Sequence, residues 1–518
     1  LVDMTGFEGQ IAASNVVTIN GGGALNLMGT NILAGIVFNS NGGTTQPKVT
    51  PYSTITVGTS NALATYGAKT GTLVLTGSIA SNPSNVAVTP LLDSGTLDLN
   101  GSTAHDITVA ALPEGNYANG VGALNGLQIS STIQNGGFTK KGTGVLNLIG
   151  TNTFVGQLTI ENGVVNVATL NNPSVNGPLG PSGTIVMGGG SGTTGTLEYT
   201  GTSVTNTKSY QMAAGGAGAF QVDAAATTIT LSNPIDGSGN FIKTGAGSLT
   251  LSNSQHTLSG RTIVSAGTLT LSNNTTANPL ADGVYNLSPY IDVQKGATLD
   301  VTGLQGGGLI LGGPLASIWG GSGQTIGGNG TIVGGLTIAQ DTTLSPGASP
   351  GLLSQTGNQT WATGGNYNWQ VYDAAGAAGI GGYDKMSISG TLSIQSGFNV
   401  NLWSLAGIGP DVNGDAVNFN AGQDSFWVIA TASGGLVNAA NLSSANIFVT
   451  ANNGTNGFTN SLAGTFSLAQ GDGVRGTLND VVLTYTSMVI PEPDTLALAG
   501  VGALLAAWAA RRARRRAA

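Results

Sequence analysis

One long stretch of this chain occurs twice. The run Phe138 to Val167, FTKKGTGVLNLIGTNTFVGQLTIENGVVNV, returns as Phe241 to Leu271, FIKTGAGSLTLSNSQHTLSGRTIVSAGTLTL, with one residue inserted. Part of it appears a third time, as GALNLMGTN from Gly23 to Asn31 against GVLNLIGTN from Gly144 to Asn152. Shorter Gly-Thr-Leu echoes begin at Gly71, Gly95, Gly195, Gly267, Gly390 and Gly476. Within each copy large aliphatics alternate with Asn or Thr, as in Val145–Leu148 and Leu249–Leu251, so one face is apolar and the other polar. The strands are about four to six residues long and end in Gly, Asn and Ser clusters that supply turns. A strand this short cannot bury its apolar face alone. Stacked coils bury it in a shared column and pair the backbone in parallel ladders. Glycine suits the tight corners because it tolerates positive φ. The spacing therefore predicts an all-β, right-handed parallel β-helix, a solenoid, over residues 1–344. Residues 15–340 should make roughly 15 coils and, at about 4.8 Å per coil, a rod roughly 70 Å long. Short, evenly spaced strands also suit an antiparallel sandwich or barrel, but self-similarity over this length favours the solenoid.

Composition supports β structure over disorder. The 518 residues include 85 glycines and only 7% charged residues, yet 40% are apolar. Disordered chains combine low hydrophobicity with high net charge. Residues 1–490 carry ten Lys/Arg against twenty-one Asp/Glu, and 491–518 carry five Arg against Glu492 and Asp494. An acidic body lacks the electrostatic footprint for phosphate backbones, so nucleic acid is not expected as a partner. With no cysteine, disulfides, thiolate metal sites and cysteine nucleophiles are excluded. That suits passage through an oxidising compartment. Leu1 opens no charged or apolar leader stretch, so an exported protein of this sequence has lost its signal peptide or carries it upstream.

The two long copies resemble the autotransporter-associated β-strand repeat. The first carries its pattern at Gly142, Gly144, Leu146, Leu148, Asn152, Gly156, Ile160, Asn162 and Gly163. The second keeps Gly245, Gly247, Leu249, Leu251, Val264, Ala266, Gly267 and Leu269, with Gln255-His256 replacing the Asn-Thr pair. The resemblance implies a parallel β-helix on a bacterial surface protein.

Two Pro-Gly pairs in Ser345-Pro346-Gly347-Ala348-Ser349-Pro350-Gly351 break the strand pattern. Beyond them four of the six Trp gather between 361 and 427. Residues 345–487 are expected to form a β-rich segment that caps the solenoid, since terminal coils need closure.

Residues 488–518 form the tail. Pro491 and Pro493 forbid helix before them, and Asp494 or Thr495 suits an N-cap. Thr495 to Ala510 is uncharged and reaches about 24 Å as a helix, short of a hydrocarbon core of about 30 Å. Snorkelling of Arg511, Arg512, Arg514, Arg515 and Arg516, with Trp508 at the interface, would make up the difference and hold the C-terminus inside. One C-terminal transmembrane helix is expected. The bland alternative is a core helix with a solvated basic end. Pro491-Glu492-Pro493, an apolar span and an Arg cluster, in that order over 489–516, resemble the PEP-CTERM sorting domain. Ile490 and Asp494 depart mildly from its pattern. The resemblance implies recognition of Pro491, Glu492 and Pro493 by an exosortase, a membrane cysteine transpeptidase. It also implies transient inner-membrane anchoring, then delivery to the cell surface or the extracellular polysaccharide matrix.

Chemistry is sparse. Glycoside hydrolysis needs two carboxyls roughly 5–10 Å apart, and Glu114, Glu161 and Glu198 read as isolated. Asp292 and Asp300 suit turn and strand-end roles. His105-Asp106 point to opposite faces of a strand, and neither His105 nor His256 has a nucleophilic Ser in a motif. Asp411-Val412-Asn413-Gly414-Asp415 resembles part of a calcium loop but lacks the later Gly and Glu, which favours a polar turn. Gly306–Gly308 and Gly327–Gly330 read as corners, since neither a Lys-Ser/Thr nor a helix follows. No enzyme activity, cofactor or metal is expected. The expected function is structural or adhesive, at the surface or in the matrix, with polysaccharide as a candidate contact. The competing reading is a polysaccharide-acting β-helix lyase or glycosidase. A full autotransporter would need a C-terminal barrel, for which the roughly 140 residues after the repeats are too few.

Overall fold

The computed structural model describes residues 2–3, 9, 11–41, 44–56, 65–85, 88–112, 126–252, 256–272, 288–312, 323–347, 349–409, 412–450, 457–488, 504–508 and 511–512. Among the described residues, seventeen strands form one parallel ladder, each pairing with the next coil's strand in chain order. It begins at Val2–Asp3, includes Ala24–Met28, Val145–Leu148, Gly163–Val167 and Asn240–Thr244, and ends at Asn446–Phe448. A second parallel sheet runs from Val16–Asn20 to Thr257–Leu258, and a third starts at Val204–Asn206. A fourth, of five strands, runs from Gly308–Ile310 to Leu436–Val437. The chain is a β-solenoid.

One turn shows how the sequence makes a coil. Asn240–Thr244 lies in the long sheet, Ser248–Leu251 in the third and Thr257–Leu258 in the second. Thr262–Val264 then rejoins the long sheet one rung on. Gly245 turns the first corner at φ 75°, where a Cβ would stand 2.4 Å from the Val222 carbonyl oxygen. Gly142 does the same in the first copy, at φ 73° and 2.3 Å from the Val109 oxygen. Leu249, Leu269, Leu299 and Ile332 then stack in register on the inner face, and all four are buried. Deleting one such side chain costs about 2–5 kcal/mol.

The two repeat copies sit one face out of phase. Phe138–Lys141 belongs to the second sheet and Val145–Leu148 to the long sheet, whereas Asn240–Thr244 belongs to the long sheet and Ser248–Leu251 to the third. The repeat therefore specifies a corner with its two flanking strands, not a fixed side of the rod.

Coils are fewer and more uneven than expected. Rungs of the long sheet are separated by 18 residues at Thr325 and Thr343 but by 47 at Asn399 and Asn446. Among the described residues, twelve of its rungs, against the roughly fifteen expected, fall within residues 15–340, because several corners carry insertions. Seventeen rungs at about 4.8 Å make a stack of roughly 80 Å. The Ser345–Gly351 stretch does not interrupt the ladders, since Thr343–Pro346, Asn366–Val371 and Asn399–Ser404 continue the long sheet.

Closure comes later, by a change of direction. Ser425–Ala432, the last parallel strand of the third sheet, pairs antiparallel with Asp480–Ser487, which pairs antiparallel with Gly464–Gln470. Aromatic rings fill these last coils. Trp361 stacks on Phe398 at 4.7 Å, Trp369 meets Trp427 at 5.4 Å, and Phe466 meets Tyr485 at 5.1 Å.

Candidate functional site

Only part of the tail falls within the described residues. Leu504–Trp508 and Arg511–Arg512 are helical, and the Arg512 guanidinium lies 5.0 Å from the centre of the Trp508 ring. Leu504, Leu505 and Trp508 are 72, 60 and 59% exposed, an uncovered apolar surface beside a basic one. That is the wrong surroundings for a core helix, and it suits a segment with an interfacial Trp and Arg. Pro491, Glu492, Pro493, Arg514, Arg515 and Arg516 lie outside the described residues. No helix among the described residues is long and apolar enough to cross a membrane, so the expected transmembrane helix is not confirmed.

In the body, the repeat uses lysine in a way the strand pattern does not reveal. Lys140 is fully buried, and its Nζ donates to the carbonyls of Lys141 at 2.9 Å, Gly142 at 2.7 Å and Asn162 at 3.0 Å. Lys243 repeats this on Thr244 at 2.7 Å, Gly245 at 2.8 Å and Ala266 at 3.1 Å. Three N–H bonds of one ammonium match three carbonyls gathered at the corner. Burial pulls Lys140 down to about 7 and Lys243 to about 8. Lys208, outside the two long copies, reaches Gly180 O at 2.8 Å and the Ser182 carbonyl, and burial likewise lowers it to about 8. The recurring Phe-x-Lys-x-Gly at 138–142 and 241–245 was the available signal.

The Asn of the repeat ties coils together. Buried Asn152 accepts from the Ile133 N–H at 2.8 Å and donates to Pro178 O at 2.8 Å. In the second copy the Ile235 N–H donates to His256 Nδ1 at 2.9 Å. His256 thus stands alone in place of Asn152, not as half of a replaced pair, and burial drives its pKa down to about 4. His105 is also structural: buried, with Nε2 2.8 Å from Leu99 O and Nδ1 against Gly77 O. Its neighbour Asp106 accepts from Lys141 at 3.0 Å instead.

Glu198 is not isolated, contrary to its appearance in the sequence. Gln221 Nε2, one rung on, donates to Glu198 Oε1 at 3.0 Å and to Asp223 Oδ1 at 2.8 Å. Burial, with Asp223 beside it, pushes the Glu198 carboxyl up to about 7 despite a hydrogen bond from Asn166. Sequence reading missed this pair because coil length varies. At 3% exposure Glu198 leaves no room for a sugar ring, so the pair acts as a clasp between coils.

The calcium-like stretch is a stapled turn. Asn413 donates to Ser404 O at 2.8 Å and Gly457 O at 2.7 Å, and Asp415 accepts from Thr459 at 2.6 Å. Asp411 lies outside the described residues. No group of three or more His, Cys, Asp or Glu poised for a metal occurs among the described residues.

Comparison with known proteins fits this anatomy. The family model of the passenger-associated-transport repeat matches residues 138–167 and 241–276. The model of the PEP-CTERM protein-sorting motif matches residues 489–516. The chain carries two passenger-type repeats and a PEP-CTERM sorting motif. The caged lysines, Lys140 and Lys243, both fall inside the matched repeats. The chain is also 27% identical over 274 residues to the adhesin BmaC autotransporter of Brucella suis biovar 1 (strain 1330), covering 49% of the chain. The chain spans only 7% of that adhesin's length.

Proposed function

We propose that this chain is an exported, adhesive or structural surface protein, delivered by an exosortase through its tail. The PEP-CTERM match over residues 489–516 carries this reading, and likeness to part of a named adhesin supports the adhesive role of the body. The right-handed winding that parallel crossovers favour gives a long, sparsely charged surface suited to contact with cells or polysaccharide. Pro491, Glu492 and Pro493 are the recognition element. Thr495 to Ala510 crosses the inner membrane, and Arg511, Arg512, Arg514, Arg515 and Arg516 stay on its cytoplasmic side until processing releases the body to the surface or matrix. Intact-mass analysis of fractionated cells, with and without the exosortase, tests it. The surface form should lack the Arg cluster only when the exosortase is present; one full-length mass in both strains rejects the reading.

A further inference from the structure

The corner that Lys140 closes in the first repeat copy also holds an Asn-Gly pair, Asn162-Gly163, where the second copy has Ala266-Gly267. Gly163 sits at φ 75°, and a Cβ there would stand 2.4 Å from the Gly142 oxygen. The position therefore stays glycine, with no side chain to shield its nitrogen. Three contacts converge on the pair. The Gly163 N–H reaches the side-chain Oδ1 of Asn162 itself at 3.0 Å. The Thr194 N–H, from the next coil, makes a longer contact of 3.4 Å with the same Oδ1. The Lys140 ammonium donates to the main-chain carbonyl of Asn162 at 3.0 Å. Other Asn-Gly pairs are built differently. After Asn20, Asn100, Asn176, Asn329 and Asn413 the glycine N–H donates to the main-chain carbonyl of Asn39, Asn135, Asn152, Val293 and Ser404 respectively. Asn135, before Gly136, has its side-chain amide tied to Asp98 at 2.9 Å.

The Gly163 nitrogen is thus held against Asn162 Cγ, the carbon bonded to Oδ1. Prior positioning of two reacting atoms is what speeds an intramolecular attack most. The Lys140 ammonium draws electrons from the Asn162–Gly163 peptide and makes its N–H more acidic. The Thr194 N–H faces the oxygen on which charge develops, as a donor in an oxyanion site does. We propose that Asn162-Gly163 is a self-modification site, at which the fold promotes deamidation of Asn162. Hydroxide takes the Gly163 proton, the N–Cγ bond forms, and the carbonyl π pair moves onto Oδ1. The carbonyl re-forms, the Cγ–Nδ2 bond breaks, and ammonia leaves with a proton from water. Water then opens the succinimide at either carbonyl, giving aspartate or isoaspartate. Overall one water is consumed and one ammonia released. Either product places a carboxylate in the corner that Lys140 ties, so a cation held by carbonyls gains an anion as neighbour. The second copy, with the same lysine cage on Ala266, lacks the side-chain amide and cannot follow.

The full-length chain, kept folded at mildly alkaline pH, tests it by peptide mapping over time. The readouts are the amide-to-acid mass gain and the isoaspartate fraction at each Asn-Gly pair. The expected result is conversion of Asn162 several-fold faster than Asn100 and Asn329, with the preference lost when the same chain is unfolded in urea. Lys140→Met, its fold checked by circular dichroism, should slow Asn162 several-fold and leave Asn329 unchanged. Equal rates at Asn162 and the two reference sites in the folded parent overturn the proposal, as does a preference for Asn162 that persists in urea. It is also overturned if Asn162 in folded K140M converts as fast as in the parent or faster, the behaviour of a corner that merely loosens.

Discussion

At the residue scale, the caged lysine is the least expected device in the repeat. A lysine buried among apolar strands is costly unless paired, and here the pairing is with backbone rather than with a carboxylate. Lys140 and Lys243 each gather two carbonyls of their own corner and one from the next coil. Lys243→Met keeps much of the stem and removes the donor, leaving three carbonyls short at roughly 1–3 kcal/mol each. Hydrogen exchange across Ser265 to Leu271 should therefore quicken in K243M, corresponding to a loss of at least about 3 kcal/mol. Unchanged protection there would mean that the ammonium contributes nothing. The alternating Leu positions were legible because period two maps directly onto a half-buried strand. Lys140 and Lys243 were not, since a charged residue in such a strand reads as outward-facing until the corner carbonyls are in place.

At the scale of the element, coils are coupled by side chains that bridge rungs. The Glu198–Gln221–Asp223 clasp makes that coupling sensitive to pH. Glu198 has a folded pKa of about 7 against an ordinary value of 4.5, so the folded chain binds an extra proton between the two. Its contribution is complete below about pH 4.5 and drains away as pH rises through about 7. Thermal melts should thus fall between about pH 5 and pH 8, and the fall should flatten in Glu198→Gln; an equal slope in both would remove the clasp from the account. The pairing was illegible beforehand because a neighbour across a coil lies anywhere from 18 to 47 residues away. The change of face between the two repeat copies was hidden for a related reason, since a corner motif does not say which side of the rod it turns.

At the scale of the whole molecule, body and tail are separate devices. The apolar side chains described in the tail, Leu504, Leu505 and Trp508, are largely exposed and bury little against the body. Removing residues 495–518 should leave the β-type circular dichroism of the body intact, with the protein stranded before delivery to the surface. Loss of that signal would show that the tail is part of the fold. The order of motif, apolar span and arginines was legible as a sorting address because it needs no tertiary context. The solenoid was legible in kind, while its coil count depended on insertions that carry no strand pattern.

The reversal at Ser425–Ala432, Asp480–Ser487 and Gly464–Gln470 gives the rod two unlike ends. A parallel stack is open to another rung of the same sense, the hazard that turns repeats into endless fibres. On the third sheet an incoming molecule of the same sense meets a strand running the wrong way, while the long sheet still ends on the parallel strand Asn446–Phe448. On that one side of the rod a further rung of the same kind finds no matching edge.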